Sequence, residues 1–126
     1  MISGVGIDIL RTGRFEELRD KPGFINNVFT EREITEVSTF LLRDRIYSAL
    51  FTLKEAVLKA LGCGLHGCAL WQHIEIDRDL RCRISDHLFD RSGMQQDTTI
   101  HTSAACANKF ALSIALKETK ESAGGN

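Results

Sequence analysis

The run Phe51-Thr52-Leu53-Lys54-Glu55-Ala56-Val57-Leu58-Lys59-Ala60-Leu61-Gly62 sets a carboxylate and two lysines inside an otherwise apolar helical pattern. Charges in such company are costly to bury without a partner or a function. At about 100° per residue, Ile46, Leu50, Leu53, Val57 and Leu61 share one face, with Ala49, Ala56 and Ala60 beside them, and this is the expected core side. Arg45, Ser48, Thr52, Glu55 and Lys59 then fall within about 80° of one another as a polar stripe, flanked by Phe51 and Leu58. A solvated helix face is normally broad and charged, whereas this stripe is narrow and walled by apolar groups, as the lining of a cleft would be. The plainer alternative is an i, i+4 surface pair between Glu55 and Lys59, worth about a few tenths of a kcal/mol. Lys54 lies nearly opposite the stripe.

A second charge sits in similar company. Ile2-Ser3-Gly4-Val5-Gly6-Ile7-Asp8-Ile9-Leu10 reads as a strand of small and β-branched residues with one carboxylate, Asp8, among apolar neighbours. Buried Asp is rare unless paired or metal-bound. Two such carboxylates on different elements suggest a shared hard cation held by oxygen ligands and phosphate. The alternative is that Asp8 caps the turn that follows.

Gly4-Val5-Gly6-Ile7-Asp8-Ile9, Phe29-Thr30-Glu31-Arg32-Glu33, and Phe51-Thr52-Leu53-Lys54-Glu55-Ala56 with Lys59-Ala60-Leu61-Gly62-Cys63-Gly64 resemble, in order and spacing, the signatures of holo-acyl-carrier-protein synthases, the small 4'-phosphopantetheinyl transferases. The match covers residues 1 to about 77 well and is looser beyond. The resemblance implies transfer of the phosphopantetheine arm of coenzyme A to a serine of an apo acyl carrier protein, with release of adenosine 3',5'-bisphosphate and with magnesium on the pyrophosphate. It makes Asp8 and Glu55 the metal ligands and catalytic residues, and sets Lys59 at the reacting phosphate. It also assigns coenzyme A contacts to Arg45, Lys54, Gly62, Gly64 and Ser103, with Lys54 reaching outer phosphates from the cleft edge. Arg14, Leu18 and Lys21 resemble the family's carrier-docking edge, and the family builds its active site between subunits of a homotrimer. A plain solvated helix face explains Arg14 and Lys21 equally well.

The chain also departs from the family. Leu50 replaces a basic residue found before the phenylalanine in many members, so a nucleotide-phosphate contact is missing or supplied elsewhere. Asp79-Leu80-Arg81-Cys82-Arg83 replaces a glycine-lysine-proline hairpin. Ser103-Ala104-Ala105-Cys106 stands where many members end in histidine, and His101 is not its aligned counterpart. These departures leave open a catalytically silent homologue that binds carrier protein or nucleotide. Gly62-Cys63-Gly64-Leu65-His66-Gly67 spells a dinucleotide fingerprint but follows a helix, where the fingerprint must follow a strand. Cys63, His66 and Cys68, completed by His73, Cys82 or Cys106, form the rival of a zinc-stabilised binding module, with a Cys pair just outside the usual finger spacing.

Charge is balanced, 16 basic against 17 acidic residues, which argues against a nucleic-acid binder driven by phosphate neutralisation. No apolar run approaches a membrane span and the first strand has no basic leader, so a cytoplasmic protein with reduced cysteines is expected. Along the chain the pattern predicts a short helix capped by Thr12 with Phe15 and Leu18 inward, and a second opened by a Thr30–Glu33 capping box. A long helix from about Arg43 to Leu61 stops at Gly62. A hairpin over Leu70–Ile84 turns at Arg78-Asp79, Ser85 caps a helix, and a strand pair closes the chain. The expected fold is α+β, a single domain over 1–121 with one long central helix on a small antiparallel sheet, 4'-phosphopantetheinyl transferase-like, and a disordered tail over 122–126.

Overall fold

The computed structural model describes residues 1–63 and 70–120. Strand β1 (Ile2–Arg11) leads into helices α1 (Thr12–Arg19), α2 (Phe24–Val28) and α3 (Glu31–Val37), then the long helix α4 (Arg43–Ala60). A 3₁₀ turn (Trp71–His73) enters the hairpin β2 (Ile74–Ile76) and β3 (Cys82–Ile84), followed by α5 (Asp86–Arg91), β4 (Thr98–Cys106) and β5 (Phe110–Thr119). β1, β5 and β4 form an antiparallel sheet in the order β1-β5-β4, with Asp8 opposite Ser113.

Alternation along the strands sends Gly4, Gly6 and Asp8 of β1 and Ala111, Ser113 and Ala115 of β5 to one face, and Val5, Ile7, Ile9, Leu112 and Ile114 to the other. The small-residue face receives α4 almost backbone to backbone. A Cβ on Gly4 would stand 2.0 Å from the Ala60 carbonyl oxygen, and one on Gly6 only 1.8 Å from that of Ala56. The Thr52 and Ser113 hydroxyls, 2.8 Å apart, satisfy each other inside this contact. Gly62 ends the helix at φ +79°, with the Gly62 amide on the Lys59 carbonyl at 3.0 Å and the Cys63 amide on that of Leu58 at 2.7 Å. That is the paired bonding of a glycine-terminated helix.

The other side of α4 is covered as well. Phe29 packs on Tyr47 with ring centroids 4.7 Å apart, Phe24 on Phe51 at 5.6 Å, and Phe51 on Trp71 at 5.8 Å. Leu53, Val57 and Leu58 are therefore all fully buried although they do not share one face. Lys54 is buried with them, and this corrects the expectation that it reaches a nucleotide from a cleft edge. Its Nζ lies 2.6 Å from Glu33 Oε1 and donates to the carbonyls of Val28 at 2.8 Å and Trp71 at 3.0 Å, which uses all three of its donors. Glu33 is saturated too, closing the predicted capping box with Thr30 and accepting from the Ile76 amide at 2.9 Å. Burial pulls the Lys54 ammonium below its ordinary pKa while Glu33 opposes the fall.

Other expectations shift locally. Thr12 is the first residue of α1 and does not cap it, its hydroxyl donating instead to the Asn108 carbonyl at 3.0 Å. Trp71–His73 forms a 3₁₀ turn where a strand was expected, and α2 was not anticipated. Ser85 caps α5 as the sequence suggests. The tail over 122–126 lies outside the described residues.

Gly6→Ala is expected to cost about 1–3 kcal/mol in denaturant unfolding through overpacking against the Ala56 carbonyl. Gly13→Ala, where an added Cβ meets nothing within 4 Å, should leave stability unchanged or slightly raised. Lys54→Met should cost about 3–5 kcal/mol, because it strands the Glu33 charge in the core; an unfolding midpoint equal to wild type would show that the pair carries no such weight.

Candidate active site

At the C-terminal half of α4 the close helix–strand contact brings three of the singled-out residues together. Asp8 points from β1 toward the helix, and Lys59 Nζ donates to Asp8 Oδ1 and to the Ile7 carbonyl, both at 3.0 Å. Two of three ammonium donors are thus used, and the Lys59 side chain stays 44% exposed against 19% for Asp8. Glu55, one helical turn before Lys59, accepts from the Trp71 indole Nε1 at 2.6 Å through Oε1. Its pKa is raised, first by burial and further by the Asp8 charge, against the opposing Trp71 hydrogen bond and Lys59. Two carboxylates and one lysine form a half-buried, net-anionic corner.

Its chemistry fits a hard divalent cation. The Asp8 charge adds to the burial that raises the Glu55 pKa, and each carboxylate commits one oxygen to a neighbour. No group of three or more His, Cys, Asp or Glu among the described residues could hold a metal, so further ligands would come from substrate oxygens and water, as is usual for magnesium. Of the thiols in the zinc alternative, Cys63, Cys82 and Cys106 are free of disulfides, and burial pushes Cys82 up to about 12. His66, Cys68 and Gly64 lie outside the described residues.

The rest of the polar stripe does not line this corner. Ser48 and Thr52 are buried, donating to the Asp44 carbonyl at 2.7 Å and the Ser48 carbonyl at 3.0 Å, so hydroxyls that satisfy themselves locally read as polar in sequence yet pack as core. Arg45 lies about 15 Å from Glu55 along α4 at the helical rise of about 1.5 Å per residue. It bonds the Asn108 side chain and lines a separate surface cavity of about 610 Å³ with Thr12, Arg19 and Leu42. Ser103 is exposed on the outer sheet face, away from Asp8, and Gly62 serves as the helix terminus. Leu50 is buried, so that position packs the core. On α1, Arg14 is exposed and paired with Glu17 at 3.0 Å, Leu18 is half-buried against the core, and Lys21 lies exposed beyond the helix end. Sequence reasoning missed Trp71, whose signal was only that it is the sole tryptophan of the chain.

No helix of the described residues is long and apolar enough to cross a membrane. Residues 4–115 match the model of the 4'-phosphopantetheinyl transferase superfamily. A holo-(acyl-carrier-protein) synthase of Geotalea daltonii is 35% identical over 105 residues, covering 76% of this chain and 84% of the relative. Another from Clostridium botulinum strain Alaska E43 is 34% identical over 123 residues, covering 94% and 98% respectively. Among solved structures, a holo-(acyl-carrier-protein) synthase of Bacillus anthracis in complex with CoA (3',5'-ADP) superposes with a TM-score of 0.74 at 25% identity, over 95% of this chain and 99% of that one. With the family match over residues 4–115, these relatives and the shared fold in agreement, the chain belongs to the 4'-phosphopantetheinyl transferase superfamily.

Proposed function

We propose that this protein transfers the 4'-phosphopantetheine group of coenzyme A to a serine hydroxyl of an apo acyl carrier protein, releasing adenosine 3',5'-bisphosphate, with residues 1–121 as the transferase domain. The observation that carries this reading is the convergence of Asp8, Glu55 and Lys59 in a chain whose full-length relatives are holo-(acyl-carrier-protein) synthases. In the reaction the serine oxygen forms a bond to the phosphorus that carries the pantetheine arm, and the bridging pyrophosphate bond breaks toward the nucleotide. Glu55, whose pKa burial raises, is the candidate base for the hydroxyl proton, taken directly or through a water. Lys59, exposed and with one donor uncommitted, faces the charge that gathers on the phosphoryl and departing oxygens. Magnesium, held by the remaining oxygens of Asp8 and Glu55, would neutralise the pyrophosphate.

Arg45 and Ser103 are too far from this corner, or on the wrong face, to serve it within one chain. Both fit coenzyme A contacts made to a neighbouring copy, as in a homotrimer with active sites between subunits. The outer sheet face supports that assembly: Val5, Ile7 and Ile9 are 52%, 54% and 60% exposed, and Leu112 and Phe110 add to a continuous apolar surface. Arg14, Leu18 and Lys21 form the edge that receives the acidic carrier. The free thiols of Cys63, Cys82 and Cys106 suit a reducing cytoplasm.

Incubation with coenzyme A, magnesium and an apo carrier protein should add one phosphopantetheine to the carrier by intact mass; no gain with several carriers and folded enzyme rejects the reading. Asp8→Asn and Glu55→Gln should remain folded and lose magnesium-dependent transfer, and Lys59→Ala should lower kcat by about a hundredfold or more with coenzyme A affinity little changed. Arg14→Glu with Lys21→Glu should raise KM for the carrier and blunt its salt dependence while sparing KM for coenzyme A; equal damage to both substrates would assign the edge a structural role.

A further inference from the structure

Glu55 has a flexible side chain, and a carboxylate that serves chemistry must be held in one orientation by its surroundings. Trp71 supplies the hold. Its indole N–H, which can only donate, meets Glu55 Oε1 at 2.6 Å, and its ring leans on Phe51 at a centroid distance of 5.8 Å. Its backbone is fixed independently, the carbonyl accepting from Lys54 Nζ at 3.0 Å, while the Gln72 side chain donates to the Phe29 carbonyl at 3.3 Å. Lys54 and Glu55 are consecutive on α4, so one residue grips the Trp71 main chain in the core and the next receives its side chain at the surface. Glu33 completes the line by holding Lys54 at 2.6 Å.

We propose that Trp71 is a positioning residue for the transfer reaction, with the buried Glu33–Lys54 pair fixing its backbone so that its indole orients the Glu55 carboxylate toward Asp8. The inference rests on the transferase reading above. The two residues of the Lys54-Glu55 dipeptide then divide the work. Lys54 never meets substrate, yet through Trp71 it sets the direction of the carboxylate next to it. Oε1 is reserved for the indole, and among the described residues Oε2 has no protein partner, so one oxygen remains for cation or proton.

Trp71→Phe keeps a ring against Phe51 and removes only the N–H. At a temperature where the variant is folded, kcat should fall about tenfold to a hundredfold and the magnesium concentration for half-maximal rate should rise similarly, with KM for coenzyme A within about twofold of wild type. A purely packing role would lower the thermal midpoint and leave kcat and magnesium dependence alone, and that result overturns the proposal. Because the chain has a single tryptophan, the metal-free protein gives one indole ¹⁵N–¹H resonance. It should move in Glu55→Gln, and an unmoved resonance overturns the proposal even if Trp71→Phe does not fold. If Glu55→Gln abolishes transfer while Trp71→Phe is fully active, the transferase reading stands and only the positioning role is lost. If Glu55→Gln keeps full turnover, the assignment of Glu55 falls and the positioning role falls with it.

Discussion

The near-contact of α4 with the backbone of β1 is the constraint on which the remaining geometry depends. Ala56 and Ala60 turn their carbonyls onto Gly6 and Gly4 at a distance that admits no side chain on the strand. Two residues of strand advance about 6.8 Å and four residues of helix about 6 Å, so the two elements stay in step over this short contact. The next strand position on the same face is Asp8. By the same step it falls level with Thr52, one turn before Glu55, and Lys59 reaches back along the helix to it. The glycines thus act on the reactive corner without belonging to it.

On the far side of the helix, the Glu33–Lys54 pair shows how a buried charge can be tolerated. A buried ion pair is seldom a large net source of stability, since desolvation offsets most of the attraction. Here every donor of the lysine is used and the glutamate serves two backbone amides as well. The pair binds α3, α4, the end of α2, the 3₁₀ turn and β2 at one point. Its contribution lies in fixing their arrangement, which apolar packing alone would leave less determined.

Much of the frame was legible in the sequence because it is written locally. The Thr30–Glu33 capping box, the Ser85 cap, the Gly62 terminus and the alternation of β1 each depend on neighbours within a few residues. The convergence of Asp8, Glu55 and Lys59 was legible from charges in apolar company together with the family signatures. The sequence pattern misplaces Lys54 because it presupposes a helix with one buried side, whereas α4 is enclosed by the sheet on one side and the aromatic layer on the other. Being opposite the sheet therefore meant being in a second core. Ser48 and Thr52 misled for a related reason: hydroxyls bonded to their own helix carry little penalty in the interior. Trp71 left no periodic trace, since its importance comes from a contact across sixteen positions of chain.

The stepwise match between α4 and β1 also governs where this chain can change length. One residue inserted or deleted between Ala56 and Lys59 would turn the remainder of the helix by about 100° and carry Lys59 away from Asp8. Insertion in β1 between Gly6 and Asp8 would send the carboxylate to the opposite sheet face. Neither element can absorb an insertion or deletion without dismantling the site, however mild the residue added. The register would tolerate a change of length in a connection such as the Asp77–Arg81 turn of the small hairpin, whose backbone closes on itself and carries no part of the helix–strand contact.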